Sequence, residues 1–100
     1  MEETSRYFKD SENYKFILFV SGMSVKSLRA IENIKKIGAE YFNGNFDLQI
    51  IDISLQAHQA AHYQIIAVPT LIKVGPAPPR ILVGDLSDSK KVLRILDIID

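Results

Sequence analysis

The 100-residue chain contains no cysteine. That excludes disulfides, thiol nucleophiles, thiolate–zinc sites and iron–sulfur clusters built from this chain. It also has no net charge, with 12 Lys plus Arg against 12 Asp plus Glu. It therefore lacks the basic excess of a phosphate-backbone binder. Long apolar runs are missing too. Phe16–Val20, five residues, is the longest, far short of the ~20 needed to cross a bilayer. Met1–Asn13 carries Glu2, Glu3, Asp10 and Glu12 against Arg6 and Lys9, the reverse of a secretory leader. A cytoplasmic location is the expectation.

What is present suits one small folded domain. Apolar and aromatic residues make up 47% and charged residues 24%, a globular balance. The polar segment 1–13 reads as an extension, with Tyr7 and Phe8 able to dock, and 14–100 as the single domain. Lys15–Val20 is a continuous apolar run ended by Ser21-Gly22, the habit of a central strand covered on both faces. From Val25 to Phe42, the residues Val25, Leu28, Ile31, Ile34, Ile37 and Tyr41 recur at spacings of three and four. This predicts one apolar helical face. Ser24 stands as its N-cap and Asn43-Gly44 as a left-handed C-cap.

Phe46–Ile53 predicts a second strand, exposed at its start and buried at its end. Strand, long helix and strand form a right-handed βαβ unit with a parallel pair. Ser54 is expected to cap a short helix over 55–64. A strand at Leu71–Val74, the proline-rich turn Gly75–Pro79 and a strand at Arg80–Gly84 predict an antiparallel hairpin with a five-residue loop. Ser87 is expected to cap a last helix over 88–99, with Val92, Leu93, Leu96 and Ile99 inward.

Few residues offer chemistry. Ser21 and Ser24 have no histidine near them in sequence to act as a base, so Ser24 is read as a cap and no residue as catalytic. His58 and His62 are four apart and share a helical face, but no third ligand is evident, so no metal is assigned. Asp52, amid Ile50, Ile51 and Ile53, is read as capping the next helix; the alternative is a half-buried acid with a raised pKa. Lys26, Arg29, Lys35 and Lys36 on the first helix, and Lys90, Lys91 and Arg94 on the last, are read as solvated faces.

The order β-α-β-α-β-β-α, with a proline opening the third strand, resembles the thioredoxin-like arrangement. In that fold the X-Pro bond, here Val68-Pro69, is typically cis, and a redox pair stands where this chain has Ser21–Val25. Several segments resemble the KaiB family more closely. They are Leu18-Phe19-Val20-Ser21-Gly22, Ser27-Leu28-Arg29-Ala30, Leu48–Ile53, Ala67-Val68-Pro69-Thr70-Leu71, Lys73, the proline-rich turn and Gly84-Asp85-Leu86-Ser87. Together they span Tyr14 to Asp97 in order and spacing. The thioredoxin-like amino-terminal domain of the clock kinase SasA is similar at a greater distance.

The resemblance implies a non-enzymatic protein with no cofactor. Its implied partners are a KaiC-type hexameric ATPase, further copies of itself as a dimer or tetramer, and a sensor kinase, with neither nucleic acid nor membrane. It also implies two alternative folds. One is thioredoxin-like, βαβαββα with a mixed four-stranded sheet, which is the fold expected here and the form that binds KaiC. The other is a ground state ordered βαββααβ. Positions matching the family's partner contacts are Arg29, Asp47, Gln49, Gln64 and Arg80; Pro69, Gly84 and Asp85 are matched to the choice of fold. Gln49 and Gln64 stand where clock proteins of the family often carry lysine, and Gln56–Tyr63 lacks the family's usual Asn-Pro and acidic residues. Docking should then depend less on charge, and an adaptor in stress adaptation that does not bind KaiC is the alternative function.

Overall fold

A computed structural model of the chain describes residues 14–99. The polar extension 1–13, Tyr7 and Phe8 included, lies outside the described residues. The elements are β1 (Tyr14–Val20), α1 (Val25–Phe42), β2 (Phe46–Asp52), α2 (Ala57–His62), β3 (Thr70–Gly75), β4 (Arg80–Val83) and α3 (Ser89–Ile95). This is the βαβαββα order, with a helix and, among the described residues, no strand after residue 88. The sheet runs β2-β1-β3-β4. β1 is parallel to β2 and antiparallel to β3, and β3 is antiparallel to β4.

The apolar run of β1 is central because it has a paired neighbour on both sides and cover on both faces. Phe16, Leu18 and Val20 point to one face, where they meet Ala30, Ile34 and Ile37 of α1, Val92 and Leu93 of α3, and Leu96 just beyond it. We call this the helical face. Ile17 and Phe19 point to the opposite face and meet Ile51 and Ile72. There the cover is thin: Ile53, Tyr63, Ile65 and Val68 pack on, while α2 itself buries nothing.

Caps and glycines set the bounds of α1. Ser24 accepts the Ser27 N–H at 3.2 Å, and Asn43 closes the helix in the left-handed region at φ 52°. The apolar stripe is shorter than its spacing predicts. Val25 and Leu28 are exposed because steps of three residues fall ~60° short of a full turn, which carries them about 180° and 120° from Ile34, and Tyr41 is exposed in the last turn. Ser27 and Gly38 are buried in their stead.

The other boundaries differ in detail. In β2 only Ile51 is buried, and Ile50 stays 39% exposed. Helix α2 runs over 57–62 rather than 55–64, and Gln56, not Ser54, holds the N-cap position without a side-chain bond. The hairpin loop is four residues, since β3 continues through Gly75. Asp88, not Ser87, caps α3 by accepting the Lys91 N–H at 3.1 Å. That helix ends at Ile95, because Asp97 takes a φ of 63° and turns the chain. Ile98 therefore packs on the core, and Ile99, expected inward, is exposed.

One charged side chain among the described residues is enclosed. Lys73 lies on the helical face of β3, between Phe16 on β1 and Arg80 on β4, with only 1% of its surface exposed. Burial pushes its pKa below the ordinary 10.5; Asp97 opposes that shift and Arg80 adds to it. The folded chain then gives up this proton at lower pH than the unfolded chain. Stability should rise with pH through the window below 10.5. Lys73→Met keeps the length and removes the charge. It should be neutral or stabilising by about 1 kcal/mol at neutral pH and should abolish that alkaline rise. Urea midpoints taken across the window test both effects.

Candidate functional site

Four connections meet at one end of the sheet. β1 and β2 both finish there, and β3 starts there because Phe19 pairs with Thr70. The end of β4 joins them, with Val83 opposite Thr70. The β1–α1 turn is built from serine. The Ser21 N–H donates to the buried Ser27 Oγ at 3.1 Å, Ser24 caps α1, and Gly22, at φ 55°, donates its N–H to Asp52 Oδ1 at 3.0 Å. The Ser24 and Ser27 hydroxyls are thus engaged with backbone N–H groups. No thiol stands where a redox pair would, so disulfide exchange is chemically excluded.

Asp52 does not cap α2, and its pKa is not raised. Its Oδ1 accepts the Ser54 hydroxyl at 2.6 Å, the Ser54 N–H at 2.9 Å and the Gly22 N–H. The Ser54 hydroxyl is the largest cause of a pKa below the ordinary 3.8, followed by the N–H groups of Gly22 and Ser54. A carboxylate held this way clamps the β1–α1 turn to the β2–α2 turn. Its stabilising effect is present above the unfolded-state value and is lost as pH falls through the lower folded value. Amide exchange at Gly22 and Ser54 should therefore quicken below pH 3.8, and Asp52→Ala should show the same loss of protection at neutral pH.

Val68-Pro69 is cis, as are Gly75-Pro76 and Ala77-Pro78. The Thr70 hydroxyl donates to the Ala67 carbonyl at 2.6 Å, and the Gly84 N–H donates to the Pro69 carbonyl at 2.9 Å. Gly84 has a φ of 138°, where a side chain would be strained, so the end of β4 is tied to the cis-proline loop at a glycine. Asp85 follows: its carbonyl accepts from Asn33 Nδ2 of α1 at 2.7 Å, and its carboxylate accepts the Ser87 N–H at 3.1 Å. Pro69, Gly84 and Asp85 thus form one joint between the two halves of the domain.

His58 and His62 lie on α2 and are exposed. Among the described residues, no three His, Asp or Glu side chains converge as a metal would need. Two clefts flank the β4–α3 loop, of about 210 and 220 Å³. Both are smaller than the roughly 300–1,000 Å³ of typical small-molecule pockets. No helix among the described residues is long and apolar enough to cross a membrane.

The comparisons with known proteins bear on this arrangement. The chain matches the KaiB domain over residues 17–98. The chain belongs to the KaiB family. It is 41% identical over 88 residues to the circadian clock oscillator protein KaiB of Microcystis aeruginosa, covering 88% of this chain and 85% of that one. It is 40% identical to its namesake from a Prochlorococcus marinus strain, over 88% and 82%. Among solved structures it is similar to the N-terminal domain of Synechococcus elongatus SasA, with a TM-score of 0.70 and 25% identity, over 89% of this chain and 88% of that one. Chloroplastic thioredoxin z shares the fold at a TM-score of 0.71 and 15% identity, over 97% and 88%. A KaiB-family chain in the thioredoxin-like fold is the result.

The five residues matched to family contacts are all exposed, but they do not form one patch. Asp47 and Gln49 stand side by side on the opposite face of β2. Gln64, at φ 57°, lies between Tyr63 and Ile65, which pack on that same face. Arg29 projects from the second turn of α1. Arg80 lies on the far edge strand, three strand spacings or about 14 Å from β2, with its guanidinium 4.0 Å from Asp97. Sequence reasoning missed other residues around the four-way junction. Met23, Leu55 and Ile66 are 80%, 81% and 97% exposed, one on each of three connections. Each lies outside a regular element, where periodicity carries no signal.

Proposed function

We propose that this chain is a non-catalytic, clock-type regulator that docks on a KaiC-type hexameric ATPase and modulates its phosphorylation and ATPase state. The observation that carries this reading is the fold state. Residues 14–99 adopt the thioredoxin-like arrangement, which the KaiB resemblance implies is the KaiC-binding form. Its β1–α1 turn holds serines engaged with backbone in place of a redox pair. Relatives at 40–41% identity are circadian clock oscillator proteins.

Arg29, Asp47, Gln49, Gln64 and Arg80 carry the polar contacts, with Met23, Leu55 and Ile66 adding exposed apolar surface. Neutral Gln49 and Gln64 leave less of the docking to charge, so salt should weaken the complex only modestly. Co-elution with the host's own KaiC-type ATPase over hours of incubation tests the reading. Arg29→Glu should weaken the complex at least about tenfold, or ~1.4 kcal/mol. Absence of any complex at high micromolar concentration would leave the second reading, a thioredoxin-fold adaptor in stress adaptation or signalling. A sensor kinase is the partner to try next, given the likeness to the SasA domain.

A further inference from the structure

The docking proposal leaves the enclosed Lys73 unused. Among the described residues it makes no hydrogen bond or ion pair, and no enclosed polar side-chain atom lacks a partner. With 1% of the residue exposed, the part that reaches water is therefore the terminal amine. That amine has little anionic support. Arg80 is its directly opposed neighbour on β4, on the same face at about 5 Å between Cβ atoms, and like charges so placed repel. Phe16, opposite it on β1, brings no charge. Asp97 favours the ammonium, but its Oδ2 also lies 4.0 Å from the Arg80 guanidinium, so one carboxylate serves two cations.

We infer that Lys73 binds carbon dioxide as a carbamate on Nζ, with the Arg80 guanidinium as its counter-ion. The lone pair of the neutral amine attacks the carbon of CO2. One N–C bond forms, one C–O π bond becomes an oxygen lone pair, and the nitrogen releases one proton to water. No oxidant, metal or further reactant enters. A negative group then stands where a positive one stood, so the Lys73–Arg80 pair changes from like charges to opposite ones. The carbamate presents two oxygens in a plane, which the guanidinium fork meets as it would a carboxylate. Asp97, with 56% of its side chain exposed, is free to turn to water.

The surroundings select this lysine. Burial disfavours its charged form, and only the uncharged amine has a lone pair to give. Lys15, Lys26, Lys35, Lys36, Lys90 and Lys91 are exposed, where water supports the unreactive ammonium. Carbon dioxide is small, apolar and uncharged, so it enters a crevice that hydrated ions do not. In the unfolded chain nothing holds Arg80 beside Lys73, so the carbamate belongs to the folded state and stabilises it.

Carbon-13 bicarbonate at constant, mildly alkaline pH is the probe, with chloride at equal ionic strength as the control. Ethylation with a trialkyloxonium salt fixes carbamates as stable esters, and peptide mass spectrometry locates them. The native chain should carry the label on Lys73 at least about tenfold more often than on any exposed lysine. Arg80→Gln should cut labelling of Lys73 severalfold. Asp97→Asn should raise it, because it removes both a competitor for Arg80 and a repelling charge. Both positions are exposed, so the fold survives these changes. The urea midpoint of the native chain should rise with bicarbonate, and Lys73→Arg, which keeps a cation but no reactive amine, should abolish that rise. Absence of label on Lys73 at saturating bicarbonate overturns the inference. So does label spread evenly over the exposed lysines, or labelling of Lys73 that neither Arg80→Gln nor Asp97→Asn alters.

Discussion

Leu18→Ala should lower folding stability by about 4 kcal/mol, within the roughly 2–5 kcal/mol seen when a buried leucine is truncated. Leu18 has no exposed surface. It occupies the middle of the central strand, opposite Ile50 on β2 and Leu71 on β3. Its side chain lies in the larger of the two clusters, where α1 and α3 both press on β1. Neither a helix nor a paired strand can close over the gap without losing contacts of its own, so the cavity persists. Domains of this size have only about 5–15 kcal/mol of stability in total, so the variant should be unfolded at modest urea. Ile17→Ala makes a similar deletion on the opposite face, in a cluster of four buried residues closed by loops. Those loops can settle inward, and the cost should be smaller by about 1–2 kcal/mol. Urea midpoints at unchanged m-value compare the two. Equal losses would mean that the faces are equally rigid, contrary to the packing described.

The same asymmetry decides what the amino-acid sequence makes legible. β1 and α1 are read nearly to the residue, because continuous apolar character, a serine cap and Asn43-Gly44 are all local signals. The order of elements follows from the same kind of local pattern, and the cis Val68-Pro69 from the resemblance to the thioredoxin-like arrangement. Side-chain exposure at α1's ends is misread: repeated three-residue steps drift around the helix and carry Val25 to the side away from the buried Ile34, and periodicity does not show where cover stops before Tyr41. Asp52 is misread because its partners, Gly22 across the sheet end and Ser54 next door, are partly long-range. The end of α3 depends on one backbone angle at Asp97, which no apolar spacing records. Ile81 and Val83 read as strand residues, correctly, but their exposure is a property of the helix that fails to cover them. The five residues proposed for docking are matched to the family one by one; their division between the two faces and edges of the sheet is a consequence of strand order.

Gly38→Ala should destabilise the domain by about 2 kcal/mol, although alanine is favoured over glycine in a helix by about 1 kcal/mol. Gly38 is buried in α1 with helical geometry, so no unusual backbone angle demands glycine there. Space does. A Cβ built on Gly38 falls within the ring of Phe46, at the start of β2. That ring is held on its other side by Phe16 and Phe42, each with its centroid 6.0 Å away, and Tyr14 stacks beyond them 4.7 Å from Phe42. Moving Phe46 outward therefore loosens a four-ring cluster that ties the end of α1 to the starts of β1 and β2. Overpacking of this kind costs roughly 1–3 kcal/mol, more than the propensity gain returns. A second variant separates the two effects. In a Phe46→Ala background the steric conflict is gone, and Gly38→Ala should there stabilise by about 1 kcal/mol, reversing sign. A Gly38→Ala cost that is the same in both backgrounds would locate the strain in the helix backbone and not in the ring.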